Sequence, residues 1–138
     1  MLDVPTVDVA APGSEQLARR FFGLIQRGEM DGMLDLVHPE IEWVLKSTHP
    51  GDVLRGSGEV EAFLTEIAGR FYELVTEVYR PLDDERIVVE GRMRWTDDAR
   101  ILRDDPVIWA LVFRDGLLWR STPAHSLAEA EALVATVR

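Results

Sequence analysis
The chain has 138 residues, 46% of them hydrophobic and 29% charged, the size and composition of one globular domain rather than of a disordered chain. Its net charge of −10 lacks the basic footprint that nucleic acid or an anionic membrane surface requires. It has no cysteine, which excludes disulfides, thiolate metal sites and a cysteine nucleophile.

Residues 1–13 contain two prolines and a glycine and show no clear period, so they read as a flexible N-terminal arm, with the domain spanning 14–138. The arm has neither the positive n-region nor the apolar h-region of a signal peptide. No stretch approaches the roughly 18 apolar residues of a membrane helix. A cytoplasmic protein is expected. Ser14 is predicted as an N-cap, with Glu15 in the first turn. Leu17, Phe21, Leu24 and Ile25 recur at helical spacing as far as Gly28. A second, short helix is predicted from Met30 to Val37. His38-Pro39 ends it, because the residue before a proline is pushed out of the helical region. Ile41, Trp43 and Leu45 then alternate with Glu42, Val44 and Lys46, which reads as a strand.

Residues 47–56 are rich in turn formers. Ser57 or Gly58 opens a third helix with Val60, Phe63, Leu64, Ile67 and Phe71 as its apolar stripe. Strands are predicted near 72–81, 85–96, 106–114 and 117–124, with turns at Asp83-Asp84 and Asp115-Gly116. Ser126 caps a last helix over 127–137. Consecutive strands joined by short turns make an antiparallel sheet, and helices segregated to one face of it give an α+β architecture.

Several local signals recur in a telling order: Gly28-Glu29-Met30-Asp31, then Leu36 through Trp43, then Gly56 followed by Val60 and Phe63, then Val112 through Leu118 and a closing helix. In this order the chain resembles the nuclear-transport-factor-2-like superfamily, and within it the SnoaL-like and ketosteroid-isomerase-like proteins. The resemblance implies a cone: a curved antiparallel (mixed) sheet with N-terminal helices covering its concave face. It also implies a hydrophobic pocket inside and a homodimer through the sheet's outer face. The superfamily includes isomerases, dehydratases, cyclases, epoxide hydrolases and plain binding modules, so fold does not assign function.

Ketosteroid isomerisation needs a tyrosine, a carboxylate base and a protonated aspartic acid. The resemblance places these at Phe21, near Leu45 and near Trp109, none of which carries the required group. An epoxide-hydrolase-like Asp-Arg-Asp set has Arg92 or Arg94 for its arginine. No aspartates clearly flank them, since Asp97, Asp98, Asp104 and Asp105 fall in predicted turns.

His125 is the most interesting titratable residue, because only an imidazole has an ordinary pKa suited to moving protons at neutral pH. Its direction depends on the Asp115-Gly116 turn. A bulge at Gly116 puts Trp119, Ser121, Pro123 and His125 on one face with Trp109 and Phe113. A two-residue turn puts Leu118, Arg120 and Thr122 there instead. The resemblance favours the bulge. His125 is then the expected proton shuttle, with Arg94 as the charged companion that stabilises an oxyanion. Phe21, Trp43, Leu45, Phe63, Trp109 and Trp119 are the expected walls for an apolar or aromatic small molecule. The competing reading makes Arg92 and Arg94 a solvated or dimer face and His125 a helix cap. His38 reads as structural and His49 as part of an exposed turn. The three histidines are too scattered for a local metal motif, so neither metal nor cofactor is expected. Two classes of function stay open. One is a lyase, isomerase, cyclase or hydrolase using acid–base chemistry; the other is a non-catalytic ligand-binding or dimerisation module.

Overall fold
The computed structural model describes residues 13–45, 52–67, 72–97 and 99–136. The N-terminal arm through residue 12 and His49 therefore lie outside the described residues. In chain order the elements are α1 (Ser14–Gln26), α2 (Met30–Leu34), β1 (Val37–Val44), β2 (Val53–Arg55), α3 (Ser57–Ile67), β3 (Tyr72–Pro81), β4 (Arg86–Thr96), β5 (Leu102–Arg114), β6 (Leu117–Ala124) and α4 (Leu127–Thr136). The six strands form one mixed, unclosed, curved sheet in the order β2-β1-β6-β5-β4-β3. All neighbours are antiparallel except β1 and β6, which run parallel. Three layers result. Helices α1 to α3 cover the inner, concave face, and α4 packs on the outer face against β4, β5 and β6.

Helix α1 buries Leu17, Ala18, Phe21 and Phe22 against β3, β4 and β5. It ends in paired backbone bonds, Gly28 N–H to the Ile25 carbonyl and Glu29 N–H to the Leu24 carbonyl, the pattern of a Schellman cap. Its N-terminus departs from expectation. Gly13, not Ser14, is the N-cap, and it has no side-chain bond to give. Ser14 is fully buried, and its hydroxyl donates to the carbonyls of Asp83 (2.6 Å) and Arg86 (3.2 Å). The serine therefore ties the helix to the β3–β4 turn instead of capping it.

Three element boundaries also differ. Helix α2 stops at Leu34, and Val37 already belongs to β1 because it pairs with Leu118. Pro39 is tolerated in the strand because the β1–β6 register shifts between Val37 and Glu42. The turn-rich stretch before Gly56 contains the short strand β2, whose Leu54 pairs with Trp43. Strand β5 starts at Leu102, not near 106. It pairs with β4 from Leu102 to Val112, but with β6 only from Ile108 onward. Its first half thus has one free edge, where Pro106 leaves no ladder bond unmade.

The two turns at the ends of β4 are built around aspartates. Asp83 Oδ1 accepts from the N–H groups of Glu85 and Arg86, each at 2.8 Å, and its Oδ2 lies 2.9 Å from the Arg86 guanidinium. Desolvation alone would raise the Asp83 pKa, but these hydrogen bonds and the Arg86 charge outweigh it and hold the group below the ordinary aspartate value. Asp97 is lowered chiefly by the Ile101 N–H, with Arg103 and the Ala99 N–H adding to it. A folded-state pKa below the unfolded one contributes stability above the unfolded value of about 4, lost as pH falls through the folded value. The variant Asp83→Asn/Asp97→Asn should therefore lose less stability than the parent between about pH 4 and about pH 2.5. Urea unfolding at both pH values checks this; equal acid losses in the two proteins would contradict it.

Candidate functional site
Strand registers lay the inner face out in rows across β4, β5 and β6: Ile87–Leu111–Ser121, Val89–Trp109–Pro123, Gly91–Val107, Met93–Asp105 and Trp95–Arg103. Exposure grows along these rows. Ile87, Leu111 and Ser121 are at most 3% exposed, whereas Pro123 and Asp105 are half-buried and Arg103 is exposed. The face is thus fully buried at the Ile87 row and less so on β5 at Asp105 and Arg103, while β1 brings Trp43 beside Ser121 in the first row.

Five of the predicted wall residues fall in or against one core cluster. Phe21, Leu45, Phe63 and Trp109 belong to one buried cluster, and half-buried Trp43 packs against it. The Phe21 and Trp43 rings lie 6.0 Å apart edge-on, and Phe22, next to Phe21 on α1, sits 4.9 Å from Trp109. Edge-to-face and tilted ring pairs are the favoured aromatic geometries, so this wall is ordered by its own contacts.

Trp119 does not join them. It lies on the opposite side of the sheet, in the cluster beneath α4. There the guanidinium carbons of Arg114 and Arg120 sit 3.4 and 3.7 Å from its ring centroid. The reason is a combination of both turn geometries. Asp115 (φ 57°) and Gly116 (φ 77°) form a two-residue turn of the I′ kind, which suits glycine at its second position. That turn pairs Phe113 with Leu118 and puts Leu118 inside. A register shift follows at once, for Val112 pairs with Arg120 and Trp119 has no partner. The shift resets the alternation, so Ser121 and Pro123 face inward after all, opposite Leu111 and Trp109. The bulge exists, but at Trp119 rather than at Gly116.

His125 and Arg94 do not meet in the cone either. His125 follows the last β6 residue and is exposed. Its backbone N–H donates to the Glu129 carboxylate, while Ser126 Oγ accepts from the Glu129 N–H at 3.1 Å, so this segment caps α4. Arg94 projects from the outer face. There it pairs with Glu73 at 3.0 Å and lies 4.0 Å from Asp104, which also holds Arg92 at 3.0 Å. A proton shuttle and an oxyanion donor converging from these two positions is not what the fold builds, because even-numbered β4 residues from 88 to 96 all face outward. His38 is structural as expected, its Nδ1 accepting from the Glu40 N–H at 2.9 Å.

The polar residue that sequence reading passed over is Asp105. It lies not in a turn but inside β5, opposite Met93 on the inner face. Trp95, also on that face, donates its indole N–H to Asp105 Oδ2 at 3.3 Å. The clue was available: Asp105, Val107 and Trp109 continue one period-two alternation. The sequence Asp104-Asp105-Pro106 hid it by imitating a turn.

No helix among the described residues is long and apolar enough to cross a membrane. A family model described as a SnoaL-like domain matches residues 18–121. None of the curated proteins matches the sequence. Among solved structures, an NTF2-like protein of unknown function from Burkholderia pseudomallei shares 23% identity at a TM-score of 0.67, covering 88% of this chain and 97% of that one. TerC, co-crystallized with polyporic acid, shares 17% at 0.67, covering 88% and 98%. A Mycobacterium tuberculosis protein in complex with estradiol-17β-hemisuccinate shares 15% at 0.70, covering 86% and 98%. At these identities the likeness is one of fold.

Proposed function
The chain belongs to the SnoaL-like domain family, and on that premise we propose that it binds an apolar or aromatic small molecule on its concave face. The observation that carries this reading is the aromatic wall of Phe21, Trp43 and Trp109 on the inner face, from which β5 runs through Val107 to half-buried Asp105. Polyporic acid and the estradiol ester, bound by proteins of similar fold, are ring compounds of the kind such a wall suits. The reading is of a binding site. The acid–base pair drawn from the sequence, His125 and Arg94, lies away from it, so a lyase, isomerase, cyclase or hydrolase activity has no proton carrier among those two residues.

The chain would act as a homodimer through the outer face of β3 to β5. Exposed Val75, Val78 and Leu102 stand there among the ion pairs of Arg80–Glu90, Arg92–Asp104 and Arg94–Glu73.

Titration with 2-ethylnaphthalene tests the binding site. Tryptophan emission should change saturably at one equivalent per chain, and Trp109→Phe should remove most of the change. A linear response up to the solubility limit of the probe would overturn the reading.

A further inference from the structure
We propose that Asp105 is the polar anchor of this site, accepting a hydrogen bond from ligands whose apolar ring system ends in a donor, a hydroxyl or a protonated amine. The proposal rests on the binding reading above and names the ligand class it takes. Four observations carry it.

First, the strand pairing places Asp105 on the inner face, in the row beyond Val107, where burial gives way to exposure. Second, it is the one carboxylate among the paired inner-face residues of the described strands. Leu74, Tyr79 and Pro81 of β3, the odd-numbered residues 87–95 of β4, and Leu118, Ser121 and Pro123 of β6 supply none. Third, its side chain is held but not used up. The Trp95 indole N–H fixes one oxygen, and no other side chain among the described residues donates to it. The nearest inner-face cation, Arg103, is engaged by Asp97 at 2.9 Å. Among the described residues the second oxygen has no donor, and the inner-face cation beside it, Arg103, already has a carboxylate partner. Fourth, the spacing fits. Trp109 and Asp105 are four residues apart on one strand, about 13 Å at the usual rise. A fused ring pair on Trp109 with a two-carbon arm spans that gap.

Selectivity among matched probes tests the assignment. Four 2-substituted naphthalenes share the ring and differ in the end group: 2-(2-naphthyl)ethylamine, 2-(2-naphthyl)ethanol, 2-ethylnaphthalene and 2-naphthylacetate. The native protein should bind the amine at least about tenfold tighter than the hydrocarbon, with the alcohol between them and the acid weakest. Asp105→Asn should cut amine affinity by about ten- to a hundredfold and leave the hydrocarbon within about twofold, which also shows that the variant is folded. An amine-over-alcohol order points to ammonium ligands; parity of the two, both above the hydrocarbon, points to hydroxyl ligands.

Equal binding of all four probes, or an amine preference that survives in Asp105→Asn, overturns the anchor and leaves the aromatic site standing. Binding of none overturns the site itself, and the anchor with it. If Asp105→Asn also loses the hydrocarbon, Trp95→Phe decides instead. It keeps a ring and removes the N–H, so it should weaken the amine at least about threefold while sparing the hydrocarbon. An unchanged preference there overturns the proposal.

Discussion

Gly91→Ala is expected to be the most damaging conservative substitution in this protein. A methyl group at this position would lie 2.0 Å from the Val75 carbonyl oxygen, 3.0 Å from its carbon and 3.1 Å from the Thr76 Cα. All three are backbone atoms of β3, so no side chain can rotate away. The close approach has a purpose in the fold. Thr76 pairs with Gly91 and Val78 with Glu90, leaving Glu77 unopposed in a bulge. That bulge bends β3 at the sheet's edge and brings its Leu74 carbonyl to Gln26 of α1 at 3.0 Å. Adding the methyl forces the two strands apart and undoes the curvature that holds α1 over the concave face. A loss of about 4 kcal/mol or more is expected, a magnitude reserved for a few mechanisms such as this one. In a chain of this size the melting temperature should fall by about 12 °C or more. A shift below about 3 °C on thermal unfolding would show that β3 does not cross Gly91 this closely.

Phe22→Ala comes next. Phe22 is 2% exposed and touches both Phe21, at 5.5 Å between ring centroids, and Trp109, at 4.9 Å. Removing the ring loses its transfer free energy and leaves a cavity between α1 and the sheet. Such truncations cost about 3–5 kcal/mol. Because Phe22 also props Trp109, the variant should show a red-shifted tryptophan emission in its folded state. Phe22→Leu keeps most of the volume and should cost less than half as much, about 1–1.5 kcal/mol. Denaturant unfolding of both variants checks the order. A cost below about 1 kcal/mol for the alanine variant would mean that the cone is not packed around this ring.

The outer-face charges offer an instructive contrast. Glu73, Arg94, Asp104 and Arg92 form a ladder of exposed ion pairs, and pairs of this kind contribute little individually. Their alternation with Val89, Met93 and Trp95 was the legible signal, because a strand with one apolar face must put its polar residues on the other. The same rule already weighed against Arg94 as an inward group. The analogy that drew it inward came from family chemistry, not from the alternation.

What the sequence by itself determined is the class of fold and its elements, the short strand β2 excepted. Helical and two-residue periods are local properties, and they located α1, α3, β3, β4, β6 and α4 to within a few residues. Phe21, Trp43, Phe63 and Trp109 each lie on the apolar face of a predicted element, and with Leu45 they fall in or against one core cluster. Only the tertiary structure decided where that periodicity breaks. The bulge at Trp119 depends on how β6 lies between β5 and β1, and it turned one predicted wall residue outward while leaving Ser121 and Pro123 inside. The start of β5 depends on β4 being present to pair with a segment whose own residues favour a turn. Ser14 has the sequence signature of a cap because a serine at a helix start usually bonds its own helix. Here two carbonyls roughly 70 positions away offered better acceptors. Asp105 is hidden for the same reason as the β5 boundary, since a carboxylate beside a proline signals a turn until a neighbouring strand holds it in line. Local propensity is set by nearest neighbours along the chain, whereas the direction of a side chain is set by the strand across from it.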